Sequence, residues 1–338
     1  MMTQLLKSGA PSLHGAFIAA AAVILIFYAF YYTSKKKYDV NTLMYITPAS
    51  IFFGFAGARL MYVTVCDQLY VEQADKWKLT DGGYALYGAA AGVILTAVVW
   101  WLITKRRIRL LKIFDTLCIS APLAIAVGRM GSIFSGDCLG ETVEHEGLCF
   151  FPIAIYKSAD SSYHYAVFFY EAAFCVIMFF FIRYVDSKVK RCGTASYLFT
   201  VLYCSERAFL EGLREDSMYI GFVRINQVIS ILMVLGIFVY ISIKLCRLTG
   251  FNWKYIISYV IVGAAFTVAF FSVFYMYSSS AAWNTVQVLI CCIVIAVTAV
   301  YSGLLYAEKS NLKYKKQAKE KPLPDKTQKF NSIKTIKK

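Results

Sequence analysis

The chain has 338 residues, of which 59% are apolar, 17% aromatic and only 16% charged. Apolar residues outnumber ionic ones more than three to one, which excludes a disordered chain and an ordinary soluble domain, since a soluble surface needs about a quarter of the residues charged. Lys and Arg exceed Asp and Glu by 35 to 20, an excess that must be placed relative to a bilayer before it is credited to any partner.

Apolar stretches long enough to cross a hydrocarbon core about 30 Å thick recur at 14–33, 43–65, 84–104, 113–134, 165–183, 194–212, 221–243, 255–276 and 283–306. None has the short alternation of barrel strands, and lipid offers no partner for stray backbone groups, so helices are expected throughout. The predicted fold is all-α, a polytopic transmembrane bundle of about nine helices. The first span has no convincing small-residue cleavage site and runs into Lys35, Lys36 and Lys37, which predicts a retained helix.

The basic residues fall in alternate connections: Lys35 to Lys37, Lys105 to Lys112, Arg183 to Arg191, Lys244 to Lys254, and then eleven lysines after Glu308. By this count 26 of the 35 share one side, which the positive-inside rule makes cytoplasmic, with the N-terminus outside and the C-terminus inside. The net charge of +15 is then explained by topology and by attraction to anionic membrane lipids, and no nucleic-acid partner is expected. Residues 308–338 read as a solvated basic tail. Most of the ten cysteines sit in apolar runs, and no zinc spacing, Walker loop or dinucleotide glycine pattern occurs, so neither metal nor cofactor is expected. Cys138 and Cys149 share an outer loop and are read as either a disulfide or two thiols.

Arg59, Arg129, Arg207, Glu171 and Glu211 lie within or at the ends of apolar spans, where an ionised group costs roughly 2.5 to 3.5 kcal/mol. Each therefore needs a partner on another helix or a ligand. In Ser205-Glu206-Arg207-Ala208-Phe209-Leu210-Glu211-Gly212-Leu213-Arg214, spacings of four and three put Arg207, Glu211 and Arg214 on one helical face. Two arginines flanking one glutamate leave positive charge available for an anion, and a phospholipid headgroup is the nearest one. In the stretch from Gly128 to Gly140, glycines and serines surround Arg129 and Asp137, which predicts a helix opening into a cavity-lining loop.

These residues resemble a known family. Gly128-Arg129-x-Gly131-x-x-x-x-Gly136-Asp137-x-x-Gly140 is similar to the signature of prolipoprotein diacylglyceryl transferase, Gly-Arg-x-Gly-Asn-Phe-x-Asn-x-Glu-x-x-Gly. Gly57-Ala58-Arg59-Leu60-x-Tyr62, Asp115, Tyr170-Glu171, the late Arg207, Glu211 and Arg214, and Asn226-Gln227 follow in the family's order. The resemblance covers about residues 11 to 245. It departs where the family's His-Gly-Gly is Tyr87-Gly88-Ala89, where its two signature asparagines are Ser132 and Ser135, and where its signature glutamate is Asp137. His14-Gly15 stands where Tyr-Gly is usual, as if histidine and tyrosine had exchanged sites facing one cavity.

The resemblance implies transfer of a diacylglyceryl group from phosphatidylglycerol to the lipobox cysteine of a prolipoprotein signal peptide, releasing glycerol-1-phosphate at the outer face of a bacterial plasma membrane. Arg129, and Arg207 with it, would hold the donor phosphate. The acceptor thiol must lose a proton, and His14 is the imidazole nearest the outer end of the bundle besides the loop residues His145 and His164, with Tyr87 where the family has histidine. Glu211 would orient Arg207 and Arg214, while Asp137, Ser132, Ser135, Arg59, Tyr62, Glu171 and Arg214 would bind substrate. The implied division is a transferase-like domain over 1–247, two added helices over 248–307, and the basic tail. A non-catalytic phospholipid-binding relative and an anion transporter are the alternatives.

Overall fold

A computed structural model describes residues 13–65, 83–105, 109–143, 145–158, 160–189, 191–220, 223–250, 257, 260–262, 264 and 281–320. In chain order the elements are α1 (Leu13–Lys35), α2 (Val40–Val65), α3 (Leu86–Ile103), α4 (Leu110–Met130) and the one-turn α5 (Ser132–Ser135). The strands β1 (Ala154–Lys157) and β2 (Ser162–Tyr165) follow, then α6 (Val167–Lys188), α7 (Thr194–Leu213), β3 (Tyr219–Ile220), β4 (Val223–Arg224), α8 (Ile225–Thr249) and α9 (Ala281–Glu320). The chain is a polytopic helical membrane protein. Seven helices among the described residues are long and apolar enough to span a bilayer: α1, α2, α3, α4 with α5, α6, α8, and residues Leu289–Leu312 of α9.

α7 is long enough to span but is not among those seven. It carries Glu206, Arg207 and Glu211, and all three are buried. A helix with ions at bilayer depth has to turn them toward protein, so α7 takes the centre, packed against α4, α6, α8 and α9. Its start is fixed from α4: the Asp115 carboxylate accepts the backbone N–H of Gly193 at 2.5 Å and of Ser196 at 2.9 Å, and the Ser196 hydroxyl at 2.7 Å. These bonds satisfy amides that a helix start leaves without partners. The outer helices instead present large apolar side chains such as Phe27, Phe52, Ile177 and Phe180, as a surface solvated by lipid requires.

α2 and α3 meet through small residues. A side chain at Gly57 would strike the Gly88 carbonyl at 2.5 Å, so the two backbones approach as closely as glycine allows. α9 lies antiparallel to α7: Cys292 packs near Ala208, Ile295 near Cys204, and the Tyr197 hydroxyl donates to the Ala299 carbonyl at 2.5 Å. Cys292 and Ile295 also meet Ile231 and Val234 of α8, so α8 and α9 run in the same direction. Thr249 and Ala281 therefore stand at opposite ends of the bundle. The span expected at 255–276 falls mostly outside the described residues. α9 stays helical through Glu320, past residue 308, where the basic tail was expected to begin.

Two small antiparallel hairpins, β1–β2 and β3–β4, join the helices at the end away from the lysine clusters. Strands of four and two residues are too short to show a period in sequence, and they were expected as plain connections.

Candidate functional site

α4 ends at Met130 and a single turn, α5, carries the chain to Gly136, whose φ of 75° is a left-handed conformation that glycine adopts without penalty. Gly131 lets α1 approach, since a side chain there would meet the Phe17 Cβ at 2.6 Å. Cys138, also left-handed at φ 60°, is uncommon for a residue with a side chain. It is held from both sides: its backbone N–H donates to Asp216 Oδ2 at 3.0 Å, and its sulfur accepts Arg129 Nη1 at 2.9 Å. The glycine-rich stretch is thus the expected opening of a helix into a loop.

From Arg129 a continuous ring of charged groups runs through three helices. Glu171 of α6, fully buried, receives Arg129 Nε and Arg207 Nη1 on Oε2, both at 2.9 Å, and the Tyr203 hydroxyl on Oε1 at 2.9 Å. Arg207 Nη2 lies 3.0 Å from Glu211 Oε2, an ion pair whose angles fall short of a hydrogen bond. Asn226 of α8 donates to Glu211 Oε1 at 2.9 Å, and Arg214 Nη1 stands 3.8 Å from Oε2. Arg214 then forks onto Asp216 through Nε and Nη2, each at 2.9 Å. Asp216 closes the ring on the Cys138 backbone. Outside the spans, desolvation works to raise the Asp216 carboxyl, but the hydrogen bonds and charge of Arg214 and the Cys138 N–H outweigh it and hold Asp216 below the usual carboxylate range.

This corrects the expectation that the Arg207–Glu211–Arg214 stripe keeps positive charge free. Arg207 is shared between two glutamates and Arg214 is taken by Asp216, because a guanidinium buried in a bundle needs a carboxylate beside it. Arg129 differs: 18% of its side chain is exposed, against 4% for Arg207 and 9% for Arg214. Its Nε and Nη1 are engaged by Glu171 and Cys138.

The other predicted residues scatter around the ring. His14 stands at the start of α1 with Nδ1 3.3 Å from Ser135 Oγ. Ser132 is buried and its carbonyl accepts Gly136 N–H at 2.9 Å. Asp137 is exposed and makes no ion pair with Arg129 among the described residues; Glu171 and Cys138 hold that guanidinium. The Tyr87 hydroxyl hydrogen-bonds Ser230 of α8. Among the described contacts none joins His14 to Tyr87, and the idea of exchanged sites facing one cavity finds no support in this geometry. Arg59 is buried, with Nη1 donating to the Gly83 carbonyl at 3.2 Å and its guanidinium 5.9 Å from the Tyr84 ring centre. Tyr62 lies against Gly83 in the same corner. Cys138 and Cys149 are both free thiols.

Three members of the site escaped sequence reasoning. Tyr203 stands one helical turn before Arg207 on the same face, a spacing that offered a signal. Asp216, two residues past Arg214, offered none, because the loop that folds it back is not periodic. Glu206 is buried, and neither carboxylate oxygen has a hydrogen-bond partner among the described residues; it stands beside Arg207 in sequence but on another face of α7. His164 was expected only as a loop imidazole. It is buried and anchors β2, with Nδ1 2.9 Å from the Gly140 carbonyl and Nε2 2.8 Å from Asp160 Oδ2.

The family model described as prolipoprotein diacylglyceryl transferase matches residues 5–243. A protein of Clostridium kluyveri named phosphatidylglycerol–prolipoprotein diacylglyceryl transferase is 29% identical over 214 residues, covering 61% of this chain and 83% of its own. Proteins with the same name from Clostridium botulinum and Thermotoga maritima are each 31% identical, over 206 and 190 residues, which is 59% and 55% of this chain and 79% and 64% of theirs.

Proposed function

Because the chain belongs to the prolipoprotein diacylglyceryl transferase family, we infer that it moves a diacylglyceryl group from phosphatidylglycerol onto the cysteine thiol of a prolipoprotein signal peptide. The thiolate sulfur attacks the glyceryl carbon bearing the phosphate, the carbon–oxygen bond breaks, and glycerol-1-phosphate leaves with the electron pair. A thioether remains, and the thiol proton passes to a base and then to solvent or the leaving phosphate. With the basic end of the bundle in the cytoplasm, the charged ring stands at the outer leaflet of a bacterial plasma membrane, where such peptides emerge. Residues 1–247 form the catalytic unit in this reading, 248–307 support it, and the basic tail lies near the inner leaflet.

One observation carries the assignment of roles: Arg129 is fixed to buried Glu171 through Nε yet is the least buried arginine of the ring. A guanidinium on this partly exposed side chain suits a phosphate oxygen on which charge grows as the bond breaks. Arg207, enclosed between Glu171 and Glu211, acts here as a positioning residue for Glu171 and through it for Arg129. Tyr203 and Asn226 fix the two glutamates. His14, beside Ser135, is the base in this scheme, while Tyr87 is hydrogen-bonded to Ser230 of α8. Ser135 and Asp137, both exposed on the loop, are placed to meet the glycerol hydroxyls of the donor, while Arg59 and Tyr62 line the neighbouring corner between α2 and α3.

Membranes containing the protein, given phosphatidylglycerol labelled in its acyl chains and a lipobox peptide, should yield peptide carrying the label in a thioether. Lipid binding without transfer would overturn the catalytic reading. In the same assay His14→Phe should slow transfer most below the peptide thiol's own pKa of about 8.5, where the thiol needs a base, and unchanged turnover would remove imidazole as the base.

A further inference from the structure

The end of the bundle away from the charged ring contains a second concave site. A cavity of about 250 Å³ opens between the last turn of α1, the first turns of α2 and the start of α4. Arg109 and Lys112 stand at its rim, with Tyr38, Thr42 and Thr116 also lining it. Ile46 and Ile113, both buried, form part of its floor. Lys112 and Arg129 are seventeen residues apart on one helix, so about 25 Å of helix axis separates this cavity from the charged ring, too far for one headgroup to reach both.

Its electrostatics favour an anion. Among the described residues neither Arg109 nor Lys112 is paired with a carboxylate; Lys112 lies 4.5 Å over the Tyr38 ring. Asp39 is the one acidic group lining the cavity. Its two oxygens are occupied by its own helix start, accepting the Thr42 hydroxyl at 2.6 Å and the Asn41 N–H at 3.1 Å. Two cations without a carboxylate partner in a cavity also lined by buried Ile46 and Ile113 match an amphiphile that carries a phosphate.

We propose that this cavity binds a phosphate-bearing ligand, either the headgroup of an anionic phospholipid or a free phosphate compound. The site is independent of the transfer reaction and would exist in a chain with no activity.

The test uses the purified full chain and native mass spectrometry with phosphatidylserine, phosphatidylcholine or inorganic phosphate. Phosphatidylserine should be retained over phosphatidylcholine, and R109Q/K112Q should weaken that retention by at least about ten-fold, the loss of charge-assisted bonds. K244Q/R247Q removes equal charge from the same end but outside the cavity, and should leave retention unchanged. Inorganic phosphate bound with the same dependence on Arg109 and Lys112, without lipid retention, would identify a free phosphate compound as the source. Equal losses in both variants, no loss in R109Q/K112Q, or equal retention of the two lipids would overturn the site. Should R109Q/K112Q fail to fold, photoactivatable phosphatidylserine on the unaltered protein decides: adducts are expected within 33–46 and 109–116, and adducts only elsewhere refute the proposal.

Discussion

At the basic end of the bundle, Lys112, Lys188, Arg191 and Lys244 lie over the rings of Tyr38, Tyr184, Tyr306 and Tyr240. At the other end Arg129, Arg207 and Arg214 lie against Glu171, Glu211 and Asp216. Both ends are rich in cations, but depth separates them. A lysine near the membrane surface keeps its ammonium hydrated, drapes its stem along an aromatic ring and needs no counter-ion. A guanidinium inside the bundle has lost that water and is tolerated only beside a carboxylate. The comparison teaches that charge count alone does not locate a binding site: the end with fewer basic residues holds the more constrained ones, and there exposure of a single side chain, Arg129, decides what can meet a ligand.

Glu171→Gln strains this contrast most. It leaves Arg129 and Arg207 without the carboxylate they share, so stability should fall by about 3–5 kcal/mol and transfer should be lost. A thermal melt in detergent matching that of the unaltered protein would mean the ring does not hold the helices. Arg129→Ala should lower turnover by about 10² to 10³ while shifting the melt less, because Glu171 keeps Arg207. Activity near normal would remove the phosphate role from this residue.

Gly303→Leu probes the apolar seam between α9 and α7. A side chain there would be driven into the Tyr197 ring, and about 1–3 kcal/mol should be lost, read as earlier proteolysis of α9. An unaltered cleavage pattern would show that α9 is not held by this contact. Asp186→Asn touches the basic end, where Asp186 meets Lys36 at 2.9 Å and the Tyr32 hydroxyl at 3.0 Å. The expected loss is at most about 1 kcal/mol; a shift as large as that of Glu171→Gln would erase the distinction between the two ends.

The smallest effect is one of acidity. Asp160, exposed on the β1–β2 hairpin, is opposed by desolvation but bonded by Ser162 and His164, and its carboxyl is held at about 2. A carboxyl lowered on folding contributes stability above its unfolded value of about 3.9, and that contribution disappears as the pH falls through the folded value. Amide protection factors in 154–165 should therefore be level from neutral pH to about 4.5 and fall between about 4 and 2. A change beginning well above about pH 5 would show that Asp160 does not control the hairpin.

The seven spans through α8 were legible because an apolar run of twenty residues has few other fates, and Arg129, Glu171, Arg207 and Glu211 were legible because ions are rare at that depth. The family signature, read from its glycines and arginines, agrees with the match over residues 5–243. Partners within the ring were not legible. Nothing in the spacing of Arg214 says that it turns to Asp216 and leaves Glu211 3.8 Å away, and nothing in Asp137 says that it faces outward while Cys138 turns in.

Composition and hydropathy determined by themselves that this chain spans a membrane, which connections are basic, and which ionic residues require an explanation, because transfer into lipid is decided residue by residue. Tertiary structure alone decided that Glu171 is shared by two arginines, that α7 is enclosed by its neighbours, and that Arg129 is the least buried arginine of the ring. Those outcomes depend on which helices become neighbours, and an ion pair across helices forms only once packing has brought its members within a few ångströms and removed the water between them.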